Sequence, residues 1–282
     1  MQIKSVAVLG SGIMGAGIAQ LAAMSGYEVT LYDINNEILN KALQKIKEGL
    51  DRMEAKGLLK IPAGEVFGKI RCYTELEEAA SGADLVIEAV PEILDLKIGI
   101  FEKLDNICPE HTILASNTSG ISITAIGSKV RRRDKIIGAH FFNPAVKMRL
   151  VEIICAMETS PETLKIVEEF SHSLGKETVV CRKDRQGFIT TRMLAAQRAE
   201  AYRILEEGIA TKEDIDKAMR FAFNHPMGPF ELADMAGLDT GLKVLRSLFE
   251  TYGEHYHPPQ FLEQLVAVNY LGRKTGKGFY SY

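Results

Sequence analysis

VAVLGSGIMGAGIAQ, residues 6–20, decides the fold. A short apolar run leads into Gly10-Ser11-Gly12-Ile13-Met14-Gly15, and small and apolar residues in a helical pattern follow. This is a strand, a glycine-rich turn and a helix start in direct succession, the context in which GxGxxG binds a dinucleotide. Gly10 permits the tight turn, Gly12 lets the backbone approach a diphosphate, and Gly15 allows close helix–strand packing, with the helix N-terminus facing the anion. Ile13 and Met14 lie in the same turn. Asp33 closes the next strand-like run, EVTLYD (28–33), 23 residues after Gly10. A carboxylate there accepts hydrogen bonds from the adenosine ribose and repels a 2′-phosphate. Ile34, Asn35 and Asn36 bring no cation to offset that repulsion, so the predicted cofactor is NAD rather than NADP.

Outward from this turn, strand candidates at 70–73, 83–90, 112–117, 136–142, 150–154 and 177–181 alternate with helical patterns, notably 36–56, 94–105 and 161–174. Continuous apolar strands alternating with helices predict a mostly parallel sheet covered on both faces. Beyond residue 181 only helical patterns remain, first over 187–208 and then over 211–223, where Thr211 with Asp214 marks a helix start. The expected architecture is α/β, with a Rossmann-type dinucleotide-binding domain over 1–184 and an all-α domain over 185–282. Apolar residues on several faces of 187–208 predict burial on more than one side. A helical domain with little core of its own is expected to pack against a second subunit, in a homodimer or higher homo-oligomer.

Thirty-four Lys and Arg against 37 Asp and Glu leave a net charge of −3, so no global basic field would recruit nucleic acid or anionic lipid. The local cluster of Arg131, Arg132, Arg133 and Lys135 reads as a solvated loop. Cys72, Cys108, Cys155 and Cys181 form no CxxC pair, which argues against zinc and thioredoxin-type chemistry; reduced thiols in cytoplasm fit best, and no metal is expected. The N-terminus enters a strand within a few residues, leaving no room for a signal peptide, and no apolar run approaches the roughly 20 residues of a membrane span.

The chemistry is best sought in HFFNPAVKMRLVE (140–152). The runs 136–142 and 150–154 are separated by seven residues including Pro144, too few for a parallel crossover. An antiparallel hairpin symmetric about Val146 makes His140 and Glu152 a cross-strand pair. Taken alone, such a pair reads first as a structural hydrogen bond. Ligands of open α/β sheets, however, bind outside the carboxyl ends of the strands. Those ends carry the glycine turn, then Asp33, then Glu92 with Lys97 beyond, then Asn117-Thr118-Ser119, then His140 to Asn143. Asn117 and Ser119 could equally cap a helix at 121–127. Their alignment with His140 at one sheet edge favours function for all three, with the imidazole as acid–base group and the carboxylate orienting it.

With the glycine turn, SNTS (116–119), HFFNP (140–144), HPMGPFEL (225–232) and GRKTGKGFY (272–280) in this order, the whole chain resembles the 3-hydroxyacyl-CoA dehydrogenase family, and in length its bacterial short-chain 3-hydroxybutyryl-CoA members. The resemblance implies NAD as cofactor, a short-chain acyl-CoA as substrate and an active site in the cleft between the two domains. It implies His140 as catalytic base with Glu152 as its partner, Ser119 on the substrate's 3-oxygen, and Asn143 positioning substrate or nicotinamide. Glu92, Lys97 and Asn117 would line the nicotinamide end, and Lys56 in EAKGLL matches, loosely, a lysine near the coenzyme A phosphates. The chain departs from the family pattern at QGFITTR (186–192), where Gln186 replaces a usual proline and Thr191 a usual active-site asparagine. Threonine keeps one hydroxyl but loses the amide's reach. Two other readings stay open: a dehydrogenase of this fold acting on a free hydroxy acid or a cyclic acyl-CoA, and a non-catalytic NAD-binding protein.

Overall fold

One eight-stranded sheet organises the first two thirds of the chain in a computed structural model that describes residues 2–282. Its strands are β1 (Ser5–Leu9), β2 (Glu28–Tyr32), β3 (Ile70–Tyr73), β4 (Leu85–Glu88), β5 (Ile113–Ser116), β6 (Ile136–Phe141), β7 (Leu150–Cys155) and β8 (Glu177–Cys181). They lie in the order β3-β2-β1-β4-β5-β6-β7-β8. Pairing is parallel from β3 across to β6, reverses between β6 and β7, and is parallel again between β7 and β8. Strands β4, β5 and β6 are buried along their whole length, as strands covered on both faces must be.

The connections are α1 (Ile13–Met24), α2 (Asn36–Glu54), α3 (Ala63–Gly68), α4 (Leu76–Ala80), α5 (Leu94–Ile107), α6 (Ile123–Ile126) and α7 (Pro161–Ser173). Local chemistry sets several starts. Asn35 accepts hydrogen bonds from the N–H groups of Glu37 and Ile38 at the head of α2, and Ser160 accepts from Thr163 at the head of α7, where Pro161 occupies a position needing no donor. The core on these layers is aliphatic, with Leu31, Leu85 and Ile87 among its fully enclosed side chains.

The chain divides into compact units Met1–Arg185 and Gln186–Tyr282. The second contains α8 (Thr190–Glu206), α9 (Lys212–Ala222), α10 (Pro229–Ala236), α11 (Leu238–Tyr252) and α12 (Gln260–Ala267). Thr211 caps α9, accepting from Asp214 N–H. The expectation of a poor helical core is corrected: Tyr202 is buried with its ring centroid 5.5 Å from Phe230, 5.7 Å from Phe261 and 5.6 Å from Phe279. Two buried carboxylates tie the segments together. Asp216 accepts from Phe230 N–H, Glu231 N–H and the Tyr280 hydroxyl, and Asp234 accepts from Phe279 N–H and Tyr280 N–H. These bonds explain the HPMGPFEL and GRKTGKGFY stretches as structural. Burial on α8 also differs from expectation, concentrating at Ala195, Arg198, Ala199 and Tyr202, a single stripe with Ala201 beside it. Among the described residues no helix is long and apolar enough to cross a membrane.

The arginine cluster is more than a solvated loop: Arg131 and Arg133 are exposed as expected, but Arg132 is largely enclosed and a buried carboxylate lies beneath. Arg131 Nε and Arg132 Nε donate to the two oxygens of Asp105 at 2.9 and 2.8 Å, and Arg131 N–H adds a third bond. The Asp105 side chain is only 5% exposed. Burial alone would raise its pKa, but the hydrogen bonds and charge of the two arginines hold it at about 2. A folded-state pKa below the unfolded value contributes stability above pH 4, here about 2 kcal/mol, that is lost as pH falls toward 2. Urea unfolding should therefore place Asp105→Asn well below the native protein at pH 7, with the gap narrowing from pH 4 to pH 3. A gap independent of pH would contradict this account.

Candidate active site

The glycine turn has the shape a diphosphate needs. Gly10 adopts φ +93°, and a Cβ on it would lie 2.7 Å from the Ala89 carbonyl oxygen. A Cβ on Gly15 would stand 1.7 Å from the Gly10 carbonyl oxygen, so α1 can approach the turn only with glycine there. Gly12 is different: it has an ordinary φ of −62°, and a Cβ there would meet nothing within 4 Å. The space is at the N-terminus of a twelve-residue helix, where N–H groups and the helix dipole attract anions. Ile13 is 72% exposed at the first helical position, whereas Met14 leans on the core. Asp33 Oδ2 accepts from Ser11 N–H at 2.8 Å and Ser11 Oγ–H at 2.9 Å, which leaves Oδ1 with its acceptor capacity for a ribose. These residues fit a dinucleotide, and β1 and β4, where strand order switches, flank the crevice in which such folds bind one.

Further along the same edge, His140 and Glu152 are in direct register across β6 and β7. His140 Nδ1 lies 3.0 Å from Glu152 Oε2, and His140 Nε2 lies 3.1 Å from Ser119 Oγ. Glu152 is fully buried and His140 nearly so, while Ser119 is exposed. A carboxylate can only accept, so this network assigns the neutral imidazole's proton to Nδ1 and its lone pair to Nε2. Phe142, two residues on, sets its ring 4.5 Å from the imidazole. The hairpin turn behind the pair is held from two sides. Buried Lys176 donates to the carbonyls of Ala145 and Met148, both at 2.7 Å, and Gly17 of α1 leaves room for Ala145, which a Cβ there would meet at 3.2 Å. Asn143 is exposed at the start of this turn, joined to Pro144 by a cis peptide bond.

Serine, imidazole and carboxylate in line also describe a hydrolase, but the Ser119 loop lacks an oxyanion hole. Ser119 N–H donates to Glu92 Oε1, and the N–H groups of Gly120 and Ile121 both donate to Thr118 Oγ1. Thr118 Oγ–H in turn donates to Glu92. The cysteines offer no alternative nucleophile: burial pushes all four thiols up, Cys108 to about 11. Asn117 does not cap the following helix; its Oδ1 accepts from Phe141 N–H at 2.8 Å, and Ser122 is the cap of α6. Asp184 anchors the far end of the loop through Ser122 Oγ–H and Thr124 N–H. Lys97 is buried, with Nζ 2.7 Å from Glu88 and 3.2 Å from Glu92, so it reaches the sheet edge only through Glu92. Lys56 stands exposed in the turn after α2. Thr191 belongs to the second unit, half-buried in the first turn of α8. Nearby, Gln186 donates its amide to Ser247 Oγ at 2.7 Å, an anchor that proline would lack.

The family model of the 3-hydroxyacyl-CoA dehydrogenase NAD-binding domain matches residues 5–185, and that of the C-terminal domain matches 187–282. The chain belongs to the 3-hydroxyacyl-CoA dehydrogenase family. The dehydrogenase is similar to the mouse mitochondrial hydroxyacyl-coenzyme A dehydrogenase, 45% identical over 99% of this chain and 91% of the relative. It is 43% identical to a probable 3-hydroxybutyryl-CoA dehydrogenase of Bacillus subtilis, over 100% and 98% of the two chains. Among solved structures it resembles the (S)-3-hydroxybutyryl-CoA dehydrogenase of Ralstonia eutropha, with a TM-score of 0.94, 40% identity and coverage of 100% and 99%. The chain is accordingly an oxidoreductase with NAD as its cofactor.

Residues that sequence reasoning passed over include Glu88, Ser11, Phe142 and Lys176. Only Glu88 left a signal, a carboxylate at the end of an otherwise apolar strand, which needs a buried partner. The glycines yield a paired test. Gly12→Ala should leave urea stability within about 0.5 kcal/mol of the native protein yet weaken NAD about tenfold or more, because its methyl enters only the diphosphate space. Gly15→Ala should destabilise the fold by about 3 kcal/mol or more through overpacking. Unchanged NAD affinity in the first variant would refute the assignment of that space.

Proposed function

We propose that this chain catalyses the reversible oxidation of an (S)-3-hydroxyacyl-CoA, with 3-hydroxybutyryl-CoA as preferred substrate, to the 3-ketoacyl-CoA. The observation that carries this reading is the line Ser119–His140–Glu152 at the carboxyl edge of the sheet that bears the glycine turn. The names and coverage of the bacterial relatives support the acyl-CoA class and the short chain.

NAD, when bound by Gly10, Gly12, Gly15 and Asp33, supplies the acceptor for the hydride from C3. His140 Nε2 takes the substrate's hydroxyl proton, the atom now within hydrogen-bond reach of Ser119. Glu152 holds Nδ1–H, fixes the tautomer and stabilises the imidazolium that forms inside a buried site. Ser119 steadies the 3-oxygen as charge develops on it, with its backbone pinned by Glu92. Asn143 and Thr191 position the substrate, and Lys56 meets the coenzyme A phosphates. In reduction His140 returns the proton as an acid.

His140→Ala should lower kcat about 10²–10⁴-fold, the span of one acid–base group, while NAD titration stays near native. Near-native turnover in that variant would sink the role. Glu152→Gln should also lose activity and shift the pH dependence of what remains. On substrates, NADH oxidation should be fast with acetoacetyl-CoA and slow with acetoacetate. Equal rates would favour a free keto acid, and NADH binding with no turnover of any ketoacyl-CoA would mean a non-catalytic NAD-binding protein.

A further inference from the structure

Beneath the loop that carries Ser119 is a charge cluster built on Glu88, a residue the mechanism does not use. Glu88 ends β4 with no exposure, beside Leu85, Val86 and Ile87, which are equally enclosed. Its Oε1 accepts from Val90 N–H and Lys97 Nζ, both at 2.7 Å, and its Oε2 from Ser116 Oγ–H at 2.6 Å. With these bonds made, Glu88 is committed within the protein. Lys97, 1% exposed, bridges from Glu88 to Glu92 Oε2 at 3.2 Å. Glu92 is 47% exposed at the mouth of the crevice. We propose that Glu88 is a positioning residue whose buried charge, acting through Lys97 and Glu92, biases the site toward the positively charged oxidised nicotinamide over the neutral reduced ring.

Charge balance sets this bias. A buried carboxylate is costly, and leucine-like packing, as in the rest of β4, would hold the strand end without that cost. Two carboxylates share one ammonium, so the cluster carries one net negative charge. Because Glu88 is enclosed and closer to the ammonium, Lys97 serves Glu88 first, and the uncompensated charge falls on exposed Glu92. Were Glu88 neutral, Lys97 would neutralise Glu92. The adenosine half of a dinucleotide lies on the Asp33 side of the β1–β4 switch and the nicotinamide half on the β4–β5 side, where Glu92 stands. This placement rests on the function proposed above. A unit charge roughly 10 Å from the ring, at an effective dielectric of about 20, is worth roughly five- to tenfold in affinity after screening.

Glu88→Gln isolates the charge, since an amide oxygen can still accept from Val90 and Lys97 while its NH₂ donates to Ser116. NAD⁺ and NADH are titrated in the absence of substrate, the first by calorimetry and the second by its fluorescence. The variant should weaken NAD⁺ about five- to tenfold and change NADH less than twofold. Ser116→Ala keeps the charge and drops one hydrogen bond, so it should leave the ratio of the two dissociation constants unchanged. Glu92→Gln removes the same net charge from an exposed position, which keeps the test open if the buried variant fails to fold, and must move the ratio the same way. Equal effects on both cofactors, no effect in either glutamine variant, or a ratio shift in Ser116→Ala matching that of Glu88→Gln would overturn the proposal. A native protein that binds neither cofactor would instead overturn the functional reading beneath it.

Discussion

The connection between β6 and β7 is too short to carry a strand back to the other end of the sheet, and the site depends on that constraint. With only 142–149 between them, the two strands must pair antiparallel, and symmetry about Val146 puts Glu152 opposite His140. A shift of one residue would turn Glu152 to the other face of the sheet and leave the imidazole without its acceptor. Because both residues lie inside the sheet layer, their hydrogen bond forms away from water, where a carboxylate facing Nδ1–H has the most influence on the ring.

The pair becomes chemistry only through what is brought to its open side. Ser119 is presented by a loop in which the N–H groups of Ser119, Gly120 and Ile121 are already committed, which leaves its hydroxyl at Nε2. The same commitments make the loop stiff: Glu92 holds its start, Asp184 its end, and Asn117 stitches it to β6. Stiffness suits the role proposed for His140, because a base that must take a proton from a bound hydroxyl loses rate quickly with misplacement. The α1 helix adds a second tie, since its N-terminus leaves the space at Gly12 and the hairpin turn packs against its Gly17. The glycine turn and the His140–Glu152 pair are thus referenced to one helix.

Much of this was legible beforehand because it depends on spacing. The GxGxxG turn between strand and helix, Asp33 at the next strand end and the seven-residue hairpin are local statements, and local sterics enforce them. Gly10 and Gly15 have the geometry their positions demanded. What escaped reading depends on partners distant in the chain. Arg131 and Arg132 read as surface charges alone, but Asp105, 26 and 27 residues earlier, is folded beneath them, so that exposed Arg131 and enclosed Arg132 both anchor it. Asn117 has the signature of a helix cap, yet a backbone donor from β6, 24 residues away, wins it. The helical unit's core rests on Tyr202, Phe230, Phe261 and Phe279, whose convergence no periodicity reveals.

The carboxylates of the sheet domain are balanced in different ways. Asp105 faces two arginines, Glu88 and Glu92 share one lysine, and Glu152 faces the His140 imidazole. The first balance exceeds neutrality, and its carboxyl is correspondingly held far below its usual range, which suits a structural anchor. The Glu88–Lys97–Glu92 cluster falls one positive charge short of neutrality, and it lies at the carboxyl end of β4 beside the crevice. A buried negative charge without a permanent partner is expensive in a resting protein. It is best tolerated where a passing cation is part of the work, which is the reading proposed for the Glu88–Lys97–Glu92 cluster.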